Sequence, residues 1–206
     1  MRIKPLQLIL LLLLLLLFSC GTQRLVKEFP RDAESIKLSN CNLKRIPRSI
    51  KRYKNLVYLD LEHNQIKHIP RFIAKMDSLR SLDLNYNHLK LNKSDIKHAS
   101  KVKKLSIGGN NIEKVPENIG ILQCTNLNLG KNHLSSLPAS FADLKQVHHL
   151  IFYENEFVTI PEEISGFENL QHLDFYKNHI KEIAEKQQKK YESKSIKWYR
   201  PVLSLR

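Results

Sequence analysis

Side chains that could bind a metal ion recur at one spacing in the second half of the chain. His149 and His172 are separated by one full period of a pattern described below, and Glu154 and Asp174 lie close to them in sequence. Imidazole and carboxylate groups are common zinc ligands, but a zinc site needs at least three ligands in a set geometry. The spacing guarantees two at best, so we expect neither a metal site nor a cofactor.

The chain also carries three thiols, at Cys20, Cys41 and Cys124, which are too few and too scattered for a disulfide framework. The sequence contains no GxSxG elbow, no HExxH pair, no P-loop and no dinucleotide-binding fingerprint. We therefore expect a binding protein and not an enzyme.

The first residues have the pattern of an export signal. Two positive charges precede an apolar run from Leu8 to Phe18, which is shorter than the roughly twenty residues that cross a bilayer. The following cysteine comes directly after a small residue, in the sequence Leu-Phe-Ser-Cys-Gly that ends at Gly21. This motif resembles the lipobox of bacterial lipoproteins. The alternatives are an ordinary signal peptide with an incidental cysteine, or a short uncleaved anchor.

The lipobox resemblance implies that Cys20 becomes the acylated N-terminus, bearing a diacylglyceryl group and palmitate. More than one acyl chain makes such anchoring stable, because each buried methylene contributes about 0.8 kcal/mol. We therefore expect a protein that is lipid-anchored in the bacterial cell envelope, at the outer membrane or the cell surface.

The pattern LxxLxLxxNxL recurs seven times in the remainder of the chain. The copies, called repeats 1 to 7 below, begin at Ala33, Leu56, Leu79, Val102, Cys124, Val147 and Leu170. The step from one copy to the next is constant, except that the fourth step is shorter by a single residue. This pattern resembles the leucine-rich-repeat family, which implies an α/β right-handed solenoid with a parallel sheet on its concave side. Loops and short helices are expected on the convex side.

Each position of the repeat has an expected role. The fourth and sixth residues, such as Leu59 and Leu61, should point inward because side chains alternate along a strand. The recurring asparagine, such as Asn64, should satisfy backbone groups in the turn that follows. Repeat 3 lacks the proline of the convex half, and we expect a short helix there, capped by Ser94.

The two ends of a solenoid need covers, because each repeat buries its apolar face only against a neighbour. Leu25, Val26 and Phe29 are expected to shield repeat 1. At the other end we expect a polar helix over 184–193 and then an eighth strand with Ile196 and Trp198 facing inward. The expected boundaries are a signal peptide over 1–19, a linker and cap over 20–32, repeats over 33–192 and a terminal cap over 193–206.

Cys41 and Cys124 lie four repeats apart. Strands stack about 4.8 Å apart, which places these cysteines roughly 19 Å from each other. A disulfide requires α-carbons within about 7 Å. We expect both to be small buried core residues.

The concave face is predicted from the outward strand positions, which are the second, third, fifth, seventh and eighth of each repeat. Six basic and six acidic residues occupy these positions, although the formal net charge of the chain is +14. A balanced face argues against a nucleic-acid groove, which needs a basic stripe.

Aromatic and histidine side chains form two groups on this face, as expected of a protein-contact surface. A shallow stretch of small residues, Ser106, Gly108 and Gly109, is expected between the groups. The first group contains Tyr58, His63 and Tyr86, and the second contains His148, His149, Tyr153, His172 and Tyr176.

The excess positive charge lies elsewhere: in the tail over 181–206, which has eight basic residues against three acids, and in the convex half of repeat 1. Six basic residues lie there with no acid among them: Lys44, Arg45, Arg48, Lys51, Arg52 and Lys54. One interpretation is a solvated surface. The other is a membrane-facing patch, since each cation near anionic headgroups gains about 1 kcal/mol.

Together these patterns predict a membrane-anchored monomer that binds a protein or glycan through its concave face. The alternative is a structural envelope lipoprotein whose basic surface contacts anionic lipid or polysaccharide. Replacing concave tyrosines and histidines should abolish partner capture only in the first case.

Overall fold

The computed structural model describes residue 26, residues 29–181, residue 183, residues 185–193 and residues 197–199. Within these residues eight short strands form one parallel sheet, whose order follows the order of the chain. The fold is therefore the α/β solenoid that the repeat pattern predicts. The strands are β1 (Ser35–Lys37), β2 (Tyr58–Asp60), β3 (Ser81–Asp83), β4 (Lys104–Ser106), β5 (Asn126–Asn128), β6 (His149–Ile151), β7 (His172–Asp174) and β8 (Lys197–Tyr199).

The register of the sheet reproduces the spacing of the repeats. Ile36 of β1 is paired with Leu59 of β2, and Leu59 is paired with Leu82 of β3. The shorter fourth step is absorbed without a register slip, because Leu105 of β4 pairs with Leu127 of β5. Equivalent positions of all seven repeats consequently stand in columns across the concave face.

The core is one continuous row of apolar side chains between the sheet and the convex side. The fourth and sixth residues of every repeat are buried, as expected from the alternation of a strand. Short 3₁₀ helices close the convex side at Arg48–Arg52, Arg71–Lys75, Ile119–Ile121, Ala139–Asp143 and Glu162–Ile164. Each of them buries one large apolar residue, such as Ile50 or Phe141.

Repeat 3 has an α-helix where repeats 1, 2, 4, 5 and 6 have a 3₁₀ helix. The helix, α1, spans Lys93–Ala99, and its N-cap is Asn92 and not the expected Ser94. The Oδ1 atom of Asn92 accepts hydrogen bonds from the backbone amides of Ser94 and Asp95 at 2.8 and 3.1 Å. Asp95 accepts in return from the Asn92 amide at 3.1 Å, which completes a capping box. The expected helix is confirmed, and the residue expected to cap it was wrong.

The asparagines of the repeat form a buried ladder that joins each repeat to the one before it. Asn110, which is 3% exposed, donates from Nδ2 to the carbonyls of Leu84 and Ile107 at 3.1 and 3.0 Å. Its Oδ1 atom accepts from the amide of Leu89 at 2.8 Å. Leu84 and Leu89 belong to the preceding repeat, so one side chain satisfies backbone groups of two repeats.

The same arrangement recurs along the ladder, which therefore fastens the turn of every repeat to its neighbour. The Nδ2 atoms of Asn64, Asn87, Asn132, Asn155 and Asn178 likewise donate to a carbonyl of the preceding repeat, at 2.8 to 3.1 Å.

The first repeat is covered as expected. Val26 is fully buried in the core, and Phe29 packs partly against it. The hydroxyl of buried Tyr53 donates a hydrogen bond to the carbonyl of Val26. Leu25, also expected in this cover, lies outside the described residues.

The last repeat is covered by a helix, α2 (Glu185–Ser193), and by strand β8. The ring of Tyr191 in α2 is buried, and this burial together with Glu162 raises its pKa to about 12. Trp198 is paired with Leu173, so the step from β7 to β8 is longer than the regular step between repeats. The expected eighth strand is confirmed, after a longer connection that includes α2, whereas Ile196, expected to face inward, lies outside the described residues.

The burial expected of both Cys41 and Cys124 is confirmed for only one of them. Cys124 is a buried core residue, but Cys41 is only half-buried, and both are free thiols. Cys41 occupies the asparagine position of repeat 1, which lies at the open end of the ladder and has no preceding turn to cover it. Across the described part of the chain, the structure contains no helix of the length and apolar character needed to span a membrane.

The ladder leads to a test of stability. Asn110→Ala should lower the free energy of unfolding by about 2–4 kcal/mol, because buried backbone groups of two repeats lose their partners. The matched control is the neighbouring Asn111→Ala, which removes an exposed amide and should change stability by less than about 0.5 kcal/mol. Urea unfolding followed by circular dichroism measures both. Similar losses in the two variants would contradict the role given to the ladder.

Candidate binding surface on the concave face

The sheet register brings the predicted contact residues into columns on the concave face. His149 pairs directly with His172, and Tyr58 pairs with Ser81. Of the eight predicted residues, His63 and Tyr176 are exposed and the other six are half-buried. All eight therefore have surface that a partner could reach.

The eighth residue of each repeat has a left-handed backbone, which the sequence analysis did not anticipate. Gly109 has a φ of 62°, and the same position holds φ of 53° at His63 and 51° at Tyr86. This conformation is uncommon for bulky residues, and it recurs here because the chain must turn sharply before the buried asparagine. The whole column with positive φ is Asn40, His63, Tyr86, Gly109, Lys131, Glu154 and Lys177.

Two neighbouring members of this column stack. The rings of His63 and Tyr86 lie 4.4 Å apart between centroids and are inclined by only 4°. Lys131 places its Nζ atom 5.5 Å from the centroid of Tyr86 and 5.8 Å from that of Tyr153. Cation–π contacts of this length stabilise the arrangement by about 0.5–1 kcal/mol at exposed sites. Lys131 therefore joins the two predicted aromatic groups.

The small residues between the two groups do not leave a shallow stretch. A Cβ atom at Gly109 would lie 2.5 Å from the ring of Tyr86, and one at Gly130 would lie 2.3 Å from the ring of Tyr153. The two tyrosine rings thus lie over the glycines from opposite sides. Burial raises the pKa of Tyr153, and the interaction with the Tyr86 side chain raises it further. The expected shallow stretch between the two aromatic groups was therefore wrong, because the two groups form one surface.

Ion pairs continue the surface toward the last repeat. Glu154 lies between Lys131 and Lys177, with nitrogen–oxygen distances of 3.7 and 2.8 Å. The hydrogen bond from Lys177 lowers the pKa of Glu154 and raises that of Lys177. The Nζ atom of Lys177 also lies 5.8 Å from the ring centroid of Tyr176. The side chains of three adjacent repeats are thereby held in one arrangement.

The histidines form a separate part of the same surface. The rings of His149 and His172 lie 5.9 Å apart and are inclined by 32°. Burial lowers the pKa of His149, and the charges of His172, His148 and Lys104 lower it further.

Asp174, considered above as a metal ligand, accepts a hydrogen bond from the amide of Tyr176 at 2.8 Å. No group of three or more histidine, cysteine or acidic side chains suited to a metal ion occurs among the described residues. The absence of a metal site therefore stays an expectation.

The carboxylates of the fifth column have a structural role that the sequence analysis missed. Asp60 and Asp83 accept hydrogen bonds from the amides two residues later, of Glu62 and Asn85, at 3.0 and 2.9 Å. Burial raises the pKa of Asp83 to about 6, and the charges of Glu62 and Asp60 add to this rise. Tyr58 lies among these acids, and burial followed by their charges raises its pKa.

The concave charges are thus balanced in number but separated in space. Four of the six acids lie in repeats 1–3, and four of the six bases lie in repeats 4–7. A partner with the opposite distribution would be favoured in one orientation.

Lys131, which was absent from the predicted contact residues, could have been found from its spacing, because it occupies the same column as Tyr86 and Gly109.

The six basic residues predicted in repeat 1 do not belong to this surface. They surround the 3₁₀ helix Arg48–Arg52 on the convex side, and all six are exposed. Cys20, the predicted lipidation site, lies outside the described residues.

Comparison with known proteins agrees with this fold. A family model described as leucine rich repeat matches residues 32–89. Among solved structures, a leucine-rich-repeat protein of Leptospira interrogans is 26% identical, with a TM-score of 0.64, over 77% of this chain and 41% of that one. No curated protein matches the chain.

Two plant receptors are also similar. The ectodomain of the Arabidopsis thaliana receptor kinase GASSHO1/SCHENGEN3, in complex with CASPARIAN STRIP INTEGRITY FACTOR 2, is 27% identical with a TM-score of 0.59. The plant peptide hormone receptor RGFR1, in complex with RGF2, is 27% identical with a TM-score of 0.53. Each match covers 76% of this chain, which spans only 19% and 26% of the two receptor chains.

The raised pKa of Asp83 leads to a prediction about pH. The folded state holds the Asp83 proton more tightly than the unfolded chain, so the contribution of Asp83 to stability should fall as pH rises from about 4 to about 6. Asp83→Asn keeps the acceptor for the Asn85 amide and should raise stability by about 1 kcal/mol above pH 6, a value reduced for solvent screening.

Thermal unfolding between pH 4 and pH 7 measures this effect. Asp83→Ala is the matched control, because it removes the charge and also the acceptor, and it should gain less stability than the asparagine variant. A decline between pH 4 and 6 that is as steep in Asp83→Asn as in the original protein would refute the assignment.

Proposed function

We propose that this protein is a lipid-anchored binding module of the bacterial cell envelope, whose concave face takes a protein partner. The observation that carries the proposal is the single surface formed by His63, Tyr86, Lys131 and Tyr153. Curved repeat sheets commonly present such extended binding surfaces. The two similar plant receptors, each in a complex with its named factor, support a protein as the partner.

The rigidity of this surface favours binding. Tyr86 and Tyr153 lie against the glycines and on Lys131, and Glu154 is held by two lysines. Side chains that are already ordered lose less conformational entropy when a partner arrives. Tyrosines and a lysine above a stiff backbone therefore provide affinity at low entropic cost.

A glycan is the second candidate partner. The observation that favours it is Tyr176, a residue that is 40% exposed at the end of the surface and whose ring lies beside Lys177. An amphipathic ring of this kind can contact the apolar face of a sugar while its hydroxyl remains hydrated.

The anchoring part of the proposal is supported by chain geometry. Val26 is fully buried against repeat 1, so only five residues separate Cys20 from the first described core residue. Six steps of extended chain reach at most about 20 Å. A lipid on Cys20 would hold repeat 1 next to the bilayer.

Lipidation is tested by growing cells with a clickable palmitate analogue. The protein should be labelled and should sediment with membranes, and Cys20→Ser should lose both properties. Cys41→Ser is the matched control, because it removes another accessible thiol and should keep the label. Label that persists in Cys20→Ser, or that is lost equally in Cys41→Ser, would disprove the anchor.

Concave binding is tested with a photo-crosslinking amino acid in intact cells. A probe at Tyr176, on the concave face, should give a discrete crosslinked product. A probe at Val158, which is 58% exposed and lies outside the concave columns, should not. Mass spectrometry of the product distinguishes a protein from a glycan.

The same experiment can be repeated in substituted proteins. His149→Ala with Tyr153→Ala should abolish the crosslink, while His88→Ala with His179→Ala, which replaces two exposed histidines elsewhere, should preserve it. Equal crosslinking from Tyr176 and Val158 would exclude a specific concave site.

A further inference from the structure

The convex surface of repeats 1–3 is strongly basic. Beyond the six cations of repeat 1, six more exposed lysines and arginines continue over repeats 2 and 3. We call these twelve residues the basic patch. Its members are Lys44, Arg45, Arg48, Lys51, Arg52, Lys54, Lys67, Arg71, Lys75, Lys90, Lys93 and Lys97.

Two acids lie in the convex segments of repeats 1–3, and neither neutralises the patch. Asp95 is 1% exposed, and its oxygens accept from the amides of Ile69 and Asn92 at 2.6 and 3.1 Å inside the fold. Asp77 is exposed at the edge of repeat 2, where it is paired at 3.0 Å with Lys101, a lysine outside the patch.

The cations of the patch are themselves unpaired. Across the part of the chain that the structure describes, none of the twelve forms an ion pair with a carboxylate. Their charge is therefore available to an anionic partner.

The sign of the charge reverses beyond repeat 3. The convex segments of repeats 4–6 carry only two basic residues, Lys114 and Lys145, against seven acids. Six of the acids are exposed and Glu163 is half-buried. The acids are Glu113, Glu117, Asp143, Glu156, Glu162, Glu163 and Glu168. The convex face thus changes from basic in repeats 1–3 to acidic in repeats 4–6.

The basic patch contains a cavity with an apolar floor. It has a volume of about 330 Å³, and its apolar lining comes from Phe72 and Met76 of repeat 2. The cationic lining comes from both repeats: Lys51, Arg52, Lys54 and Lys75. A cavity lined by both apolar and cationic side chains suits a group that is anionic at one end and apolar at the other.

We propose that the basic patch docks on an anionic phospholipid surface, with a lipid phosphate in the cavity between repeats 1 and 2. Acidic repeats 4–6 are repelled by the same surface and point away from it. The solenoid then stands on its first three repeats and presents the concave face beyond the headgroups. This orientation deepens the proposed function, because it assumes that the anchor at Cys20 brings the patch to the membrane.

Two observations favour a lipid over a nucleic acid. The tether from Cys20 to Val26 keeps Val26, and with it the first repeat of the patch, near the anchored lipid, because that stretch of chain reaches at most about 20 Å. Phe72 and Met76 offer apolar contacts. The glycerol and first methylenes of a lipid can use these contacts, whereas the phosphate backbone of a nucleic acid cannot. Attractions between single cations and anionic headgroups add up, so twelve cations can bind strongly without a deep site.

The experiment uses residues 21–206, which retain every buried residue of the described core. Sedimentation with phosphatidylcholine vesicles containing phosphatidylglycerol should show binding that weakens with salt, and vesicles of phosphatidylcholine alone should not bind. Replacing Lys51, Arg52 and Lys75 by glutamine should weaken binding about 100-fold, the change expected for three charges at about 1 kcal/mol each.

The matched control removes three exposed lysines outside the patch, by Lys114→Gln, Lys145→Gln and Lys186→Gln, and should bind almost as well as the original chain. Equal losses in the two triple variants, or equal binding to neutral and anionic vesicles, would overturn the proposal. The melting temperature of each variant shows whether it has folded.

A DNA duplex provides the comparison with another polyanion. Phe72→Ala should weaken vesicle binding and leave DNA binding unchanged. Tighter binding to the duplex than to the vesicles, with no effect of Phe72→Ala on vesicle binding, would make the patch a nucleic-acid surface and refute lipid docking.

Crosslinking from Tyr176 should survive in the full chain when Lys51, Arg52 and Lys75 are replaced by glutamine. Failure of the docking proposal can therefore be distinguished from failure of concave binding.

Discussion

The buried asparagine ladder is the interaction on which the rest of this structure depends. Each amide, such as that of Asn110, satisfies backbone groups of its own repeat and of the preceding one. Because these groups are shut off from water, leaving them without these partners would be costly. The ladder therefore fixes the turn, the left-handed residue before it and the register of the sheet. Through the register it places the functional side chains in columns.

The concave face shows how small residues can help to form an aromatic surface. Gly109 and Gly130 provide room for the rings of Tyr86 and Tyr153, which approach from repeats that are not adjacent. Lys131 then occupies the space between the two rings. The result is a surface supported from below by main chain and from the side by ion pairs. Such support suits recognition better than free side chains on the same scaffold would, because less motion is lost on binding.

The fold also places basic and acidic residues on different parts of its surface. Basic residues collect on the convex side of the first three repeats, and acids collect on the convex side of the next three. Aspartates on the concave side are used to hold turns, as Asp174 does for Tyr176. One chain thus presents faces of different electrical character to different surroundings, without a second domain.

The sequence by itself determined the number of repeats, the inward positions, the asparagine of each turn and the presence of a helix in repeat 3. These features follow from local spacing, because a nearly constant period and an alternating strand leave one way to bury the leucines. Only the tertiary structure decided the cap at Asn92, the longer step to Trp198 and the contact between Tyr86 and Tyr153. Those features depend on which side chains lie within contact distance and on the length of the connecting helix. Such distances are set by packing in three dimensions and do not follow from spacing along the sequence.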